Sequence, residues 1–175
     1  MNLKNNTNII LIGFMGSGKS AVSKHLAKIS QKKYVDTDAM IVESSGKTIT
    51  ELFDVSENYF RSWERNICNL LKNKRNLIIA TGGGIILNKQ NRLLLNQTGF
   101  VVYLKASVDC IYTRTKNSTH RPLLNVPNKK EVISTKLAQR DSLYNTTADF
   151  TIDVDNLTIS QIVDKIKLVY ENSTT

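Results

Sequence analysis

The sequence predicts an α/β fold: a parallel sheet covered by helices on both faces. Three observations carry that reading. Short apolar runs alternate with stretches of helical periodicity along the chain. The runs are apolar without a polar alternation, as in Ile9-Ile-Leu-Ile12 and Leu77-Ile-Ile-Ala80, the pattern of strands buried on both sides. The first run opens into a glycine-rich turn, Gly13 to Gly18, that leads straight into a helical stretch.

In order, Asn8 to Ile12 reads as a strand. A helix follows from Lys19, with Val22, Leu26 and Ile29 on one face. Tyr34-Val35-Asp36 reads as a short second strand ending in acids. Thr48-Ile-Thr-Glu51 is a capping box opening a short helix. Ser56 caps a long helix to about Arg75, whose buried face is Phe60, Trp63, Ile67 and Leu70 or Leu71. Leu77 to Ala80 is a third strand. Asn88 to about Asn96 is helical and broken by Gly99. Phe100 to Leu104 is a fourth strand and Val108 to about Thr115 a short helix. Residues 116–130 are polar and hold both prolines, which marks a loop. Helix 131–144, strand 149–152 and helix 159–170 complete a single domain over residues 1–175, with no internal repeat.

Bulk composition narrows the function classes. Hydrophobic content of 41% and charged content of 22% are those of a soluble domain. No apolar run approaches the ~20 residues of a membrane helix, and Ile9 to Ile12 is too short for a signal-peptide core. The expectation is a cytoplasmic protein with no membrane partner. Cys68 and Cys110 share no motif spacing and read as reduced, packed thiols. The net charge of +9 is mostly scattered lysine, without an arginine stripe or basic–aromatic alternation. It therefore predicts no nucleic-acid partner.

Gly13-Phe-Met-Gly-Ser-Gly-Lys-Ser20 matches G-x-x-x-x-G-K-[ST] between a strand and a helix, as that motif requires. Glycines let the backbone curl until its N–H groups point at phosphate oxygens, and the helix N-terminus adds its positive dipole end. The loop predicts a bound nucleoside triphosphate. Gly16, Ser17, Gly18, Lys19, Ser20 and Ala21 are the candidate contacts. Lys19 reaches the β- and γ-phosphates, and the Ser20 hydroxyl ligates Mg²⁺. A switch GTPase is excluded. No D-x-x-G is present, and Asn88-Lys-Gln-Asn91 lacks the acid that would read guanine.

Further candidates follow the second strand. Asp36-Thr-Asp38, read as extended, points both carboxylates toward the mouth above the strand ends. One can serve Mg²⁺ and the other a substrate hydroxyl. Arg61 lies beside the face of Phe60 and Trp63, with Glu57 and Glu64 a turn to either side. A guanidinium held this way suits an anionic substrate group. Arg114, Arg121 and Arg140 are additional candidates for anions, Arg121 within His120-Arg-Pro-Leu-Leu124. Thr81-Gly-Gly-Gly84 closes the third strand. Three adjacent glycines are compatible with a hinge, a second phosphate cradle, or a bare backbone floor for a ligand.

Together GFMGSGKS (13–20), DTD (36–38), FRSWE (60–64), TGGG (81–84), RPLL (121–124) and RDSLY (140–144) resemble the shikimate kinase family, in its order and over nearly the whole chain. The resemblance implies a three-layer P-loop NTPase fold with a five-stranded parallel sheet of order 2-3-1-4-5. It implies a substrate-binding region at about 33–62 and a lid at about 115–127. The implied reaction moves the γ-phosphoryl of ATP to the 3-hydroxyl of shikimate, on the route to chorismate and aromatic amino acids, in a monomer. By position, Lys19, Asp38 and Arg121 would be catalytic, with Asp38 at the reacting hydroxyl. Arg61 and Arg140 would clamp the substrate carboxylate. Gly82, Gly83 and Gly84 would line the ring, Gly83 against its hydroxyls. Ser20 and Asp36 would serve Mg²⁺, and Arg114 would lie near adenine. Two positions depart from the family pattern. Ser56-Glu57 stands where Gly-Glu is frequent, and Asp153-Val-Asp-Asn156 lacks a small hydroxyl residue near adenine. A kinase for another hydroxylated acid, such as gluconate, is the alternative.

Overall fold

The computed structural model describes residues 8–116 and 127–174. Five strands form the sheet: β1 (Ile9–Ile12), β2 (Lys33–Asp36), β3 (Leu77–Ala80), β4 (Phe100–Lys105) and β5 (Phe150–Asp153). All neighbours are parallel and the order is β2-β3-β1-β4-β5. The helices are α1 (Lys19–Ser30), α2 (Thr37–Ser45), α3 (Ile49–Val55), α4 (Glu57–Leu71), α5 (Lys89–Thr98), α6 (Val108–Thr115), α7 (Lys129–Thr147) and α8 (Ile159–Thr174). A 3-10 turn over Ile85–Leu87 follows β3.

The uninterrupted apolar strands are explained by two separate cores. Ile9 and Leu11 face one core, shared with Val22 and Leu26 of α1 and Ile162 and Ile166 of α8. Ile10 and Ile12 face the other, shared with Phe60 and Ile67 of α4 and Leu94 of α5. Period-two alternation persists, but both faces are apolar because both are covered. Truncating a wholly buried residue such as Ile10 to Ala would cost ~2–5 kcal/mol.

Local chemistry sets the element ends. Thr48 and Glu51 form the predicted reciprocal capping box of α3, Thr48 N–H donating to Glu51 at 2.7 Å. Ser56 accepts from Tyr59 N–H at 3.1 Å and caps α4. That helix stops at Leu71, short of the predicted Arg75, and Arg75 instead donates to the carbonyls of Lys72 and Lys74. Leu71 is buried and Leu70 is exposed, which settles the alternative between them. Cys68 and Cys110 are free thiols. No helix among the described residues is long and apolar enough to cross a membrane.

One element departs from the sequence reading. Asp36-Thr-Asp38 is not extended: β2 ends at Asp36 and α2 begins at Thr37. Asp36 is the N-cap, its Oδ1 accepting from Asp38 N–H at 3.0 Å and Ala39 N–H at 3.3 Å. Only Thr37 and Ile41 of α2 are buried, so the helix carries almost no apolar periodicity to betray it.

The register decides where the chemistry emerges. Ala80 pairs with Leu11 on one side and Asp36 on the other. Gly13, Asp36 and Thr81 therefore leave the sheet together at its carboxyl edge. The chain leaving β1 runs through α1 to β2, whereas the chain leaving the adjacent β3 runs through α5 to β4, so the two depart toward opposite edges of the sheet, the arrangement that opens a ligand crevice.

Candidate active site

A cavity of about 710 Å³ lies over that edge. One wall is the phosphate-binding loop. Gly13, Gly16 and Gly18 have φ of 147°, 88° and 100°, conformations closed to most L-residues. Gly16, Gly18, Lys19, Ser20 and Ala21 line the cavity. Ser17 does not. It is buried, and its N–H donates to Phe14 O at 3.1 Å. Lys19 Nζ donates to the carbonyls of Gly13 and Phe14 at 2.8 and 3.0 Å. Arg114, from α6, bridges the loop to the segment after β5, donating to Ser17 O at 3.2 Å and Val154 O at 3.5 Å.

Asp36 joins the loop to the opposite wall. Its Oδ2 accepts from Tyr34 Oη at 2.9 Å and from Ser20 Oγ at 3.4 Å. Burial, with Asp36 adding, raises the Tyr34 phenol to about 12, so it remains a donor at neutral pH. A hydroxyl and a carboxylate this close form a hard oxygen donor set. That suits Mg²⁺, which takes few protein ligands and fills its shell with water and phosphate.

The opposite wall is assembled from four separate elements. Asp38 comes from the first turn of α2, Arg61 from α4, Gly82, Gly83 and Gly84 from the end of β3, and Arg140 from α7. Arg61 is held on two sides, by Glu64 at 2.8 Å and Glu57 at 2.8 Å. Its guanidinium also lies 5.4 Å from the Phe60 ring centroid and 5.8 Å from that of Phe53. Arg140 is arranged differently. It is 6% exposed, stands 5.6 Å from the Phe14 ring centroid, and its Nη1 is buried with no hydrogen-bond partner among the described residues. A buried cation with an open donor is a site prepared for an anion.

The glycines allow these groups to approach. A Cβ on Gly82 would stand 2.5 Å from Asp38 Oδ1, and one on Gly84 would stand 2.5 Å from Arg61 Nη1. A Cβ on Gly83 would stand 3.0 Å from the backbone N of Met15, inside the phosphate loop. The run is thus the meeting point of both walls, beyond any role as a ligand floor.

A family model described as shikimate kinase matches residues 15–171. The chain belongs to the shikimate kinase family. The shikimate kinase of Francisella tularensis subsp. novicida is 41% identical over 161 residues, 91% of this chain and 92% of that one. The solved shikimate kinase of Acinetobacter baumannii, in complex with shikimate, superposes with a TM-score of 0.92 at 35% identity, covering 99% of this chain and 98% of that one. The solved Bacteroides thetaiotaomicron shikimate kinase gives 0.86 at 30% identity, over 94% and 98% of the two chains. The sheet order and helical layers are those of the P-loop kinase fold of these family members.

Electrostatics in this family member's cavity centre on Glu64, which is 1% exposed. Burial pushes its carboxyl up to about 7, against the Arg61 cation beside it, and Asp38 adds to the rise. Burial opposes the charge on Arg61, but Glu64 and Glu57 outweigh it and raise its pKa. The exposed partner Glu57 is held below the usual carboxylate range by its hydrogen bond to Arg61.

Of the sequence-predicted residues, Gly16, Gly18, Lys19, Ser20, Ala21, Asp36, Asp38, Arg61, the three glycines, Arg114 and Arg140 all line this one cavity. Arg121 and residues 117–126 of the predicted lid lie outside the described residues. Thr37 and Tyr144 escaped the sequence reading. Thr37 Oγ1 accepts from Gly82 N–H at 3.0 Å, and Tyr144 Oη donates to Gly83 O at 2.5 Å. Thr37 lies between the two acids already singled out. Tyr144 is four residues after Arg140 on one helix and so shares its face, a signal the spacing contained.

Proposed function

We propose that this protein transfers the γ-phosphoryl of ATP to the 3-hydroxyl of shikimate, giving shikimate 3-phosphate and ADP. One observation carries the choice of substrate. The open, buried Nη1 of Arg140 shares a cavity with Arg61 and Asp38, opposite the phosphate loop. Cations at one end suit a carboxylate, and an acid near the loop suits a hydroxyl. A hydroxylated carboxylic acid spans the two.

In this reading the loop amides and Lys19 hold the phosphates of ATP and offset charge developing on the transferred group. Asp38 orients the 3-hydroxyl for in-line attack. The hydroxyl oxygen bonds to phosphorus, the bond to the β-phosphate oxygen breaks, and the hydroxyl proton leaves by way of Asp38. Ser20 and Asp36 would hold Mg²⁺, which neutralises phosphate charge when bound. Arg61 and Arg140 anchor the substrate carboxylate, the glycines line its ring, and Arg114 lies on the nucleotide side near adenine. Arg121 and residues 115–127 serve as the lid that excludes water, and residues 33–62 as the substrate region of a single domain. The protein works as a cytoplasmic monomer in aromatic amino acid biosynthesis.

The test is ADP release measured with shikimate, gluconate and nucleoside monophosphates in parallel, with and without Mg²⁺. Turnover with shikimate and Mg²⁺ alone is expected. Faster turnover with gluconate would overturn the substrate assignment.

A further inference from the structure

We propose that Tyr144 is a positioning residue for the acceptor substrate: its hydroxyl holds the Gly83 carbonyl and so fixes the peptide plane that floors the cavity beside Arg140. The inference rests on the reading of this cavity as the shikimate site.

Three consecutive glycines leave the backbone after β3 with more freedom than any other sequence. A ring-binding floor needs the opposite, one orientation held before the substrate arrives. Thr37 holds the Gly82 N–H at the start of the run. Tyr144 holds the Gly83 carbonyl in its middle, at 2.5 Å. The peptide group is planar and trans, so turning the Gly83 carbonyl toward Tyr144 turns the Gly84 N–H the other way. One hydroxyl thereby sets the orientation of both polar groups of that peptide.

The anchor itself is rigid. Tyr144 is wholly buried and stacked on Tyr103, with ring centroids 4.8 Å apart and planes 16° from parallel. Tyr103 in turn donates to Asp141 at 2.9 Å, and Asp141 pairs with Lys105 at 3.4 Å. Burial raises the Tyr144 phenol well above its usual range, with Arg140 acting in the opposite sense, so the group stays a donor at working pH. Because Tyr144 and Arg140 lie one turn apart on α7, one helix face presents the substrate cation and braces the floor beside it.

The test compares Tyr144→Phe with Tyr103→Phe in the full chain. Each loses one buried hydroxyl and keeps the aromatic stack, but only the first loses the bond to the floor, together with the contact of that hydroxyl with Arg140, so the Gly84 amide resonance reads the floor by itself. Tyr144→Phe is expected to raise the KM for shikimate by about ten-fold, as loss of one structural hydrogen bond implies. Its KM for ATP and its kcat should remain within about two-fold to three-fold of the parent. Tyr103→Phe should leave the shikimate KM within about two-fold. In the ligand-free protein, the Gly84 amide ¹H–¹⁵N resonance should shift in Tyr144→Phe and hold in Tyr103→Phe. An unchanged shikimate KM in Tyr144→Phe, equal rises for shikimate and ATP, or an unmoved Gly84 amide would each overturn the proposal. A parent enzyme without shikimate-dependent ADP release would overturn the functional reading instead. The Gly84 amide comparison then still decides whether Tyr144 holds the floor.

Discussion

The two walls of the cavity are built in opposite ways. The phosphate wall is one contiguous stretch whose groups are set by backbone conformation, with three glycines at positive φ feeding a helix N-terminus. The acceptor wall is side chains from α2, α4 and α7 leaning on a glycine edge of β3. Backbone geometry is enforced by local chain connectivity, whereas the acceptor wall depends on four elements packing correctly. Within it the two arginines differ again. Arg61 has its charge answered by two glutamates, whereas the buried Nη1 of Arg140 has no hydrogen-bond partner among the described residues.

The largest effect should come from breaking the phosphate wall. Lys19→Ala is expected to lower kcat by about 10³-fold or more, since the charge offsetting the transferred phosphoryl is lost. Near-normal ADP release by that variant would refute the wall's assignment.

Substitutions of the two arginines sharpen the contrast within the acceptor wall. Arg140→Ala should raise the shikimate KM by about 10²-fold, the loss of a desolvated charge-assisted contact, with Tm unchanged or higher because a buried cation is removed. Arg61→Ala should also raise that KM, but with a stability loss of ~3–5 kcal/mol at pH 8 from the stranded Glu64 carboxylate. At pH 5 the loss should shrink, because Glu64 then takes up a proton. Denaturant unfolding at both pH values, beside steady-state kinetics, checks the pair.

Alanine at the glycines tests where the walls meet. Gly84→Ala displaces the end of the flexible Arg61 side chain and should raise the shikimate KM by about ten-fold while leaving the ATP KM unchanged. Gly83→Ala presses on the backbone N of Met15, so both constants should rise together. An ATP KM unaltered in Gly83→Ala would separate the walls more completely than the packing implies.

A last test is a pH slope. Glu64 holds its proton to about pH 7 in the folded chain, against an ordinary value of 4.5. Between those values the folded state binds the more protons, so this group's contribution to stability falls as pH rises through that window. The slope reaches at most about 1.4 kcal/mol per pH unit for one proton. Glu64→Gln, which cannot titrate, should be flatter over that window in unfolding free energy. Identical slopes would show that Glu64 ionises normally.

Much of this was legible in the sequence. The strands, the capping box at Thr48 and the Ser56 cap are local signals, and each stands in the structure. The helix at Thr37–Ser45 was not legible, because only two of its residues are buried and its cap residue reads equally well as an acid at a strand end. Arg61 between Glu57 and Glu64 was visible as spacing, but a surface ion pair and a buried one share that spacing. Only the packing of α4 shows Glu64 at 1% exposure. The spacing of Tyr144 from Arg140 placed both on one helix face, but its bond to Gly83 was not legible because that partner lies 61 residues away.

The sequence by itself determined the sheet-and-helix alternation, the phosphate loop and the family, because those depend on periodicity and on short-range backbone chemistry. Only the tertiary structure decided that Ser17 is buried and not part of the cavity lining, that Arg61 is paired with two glutamates while Arg140 Nη1 has no hydrogen-bond partner among the described residues, and that the three glycines lie where both walls converge. Those properties belong to distances between residues far apart in the chain. Close packing of four elements sets them, and no local pattern encodes them.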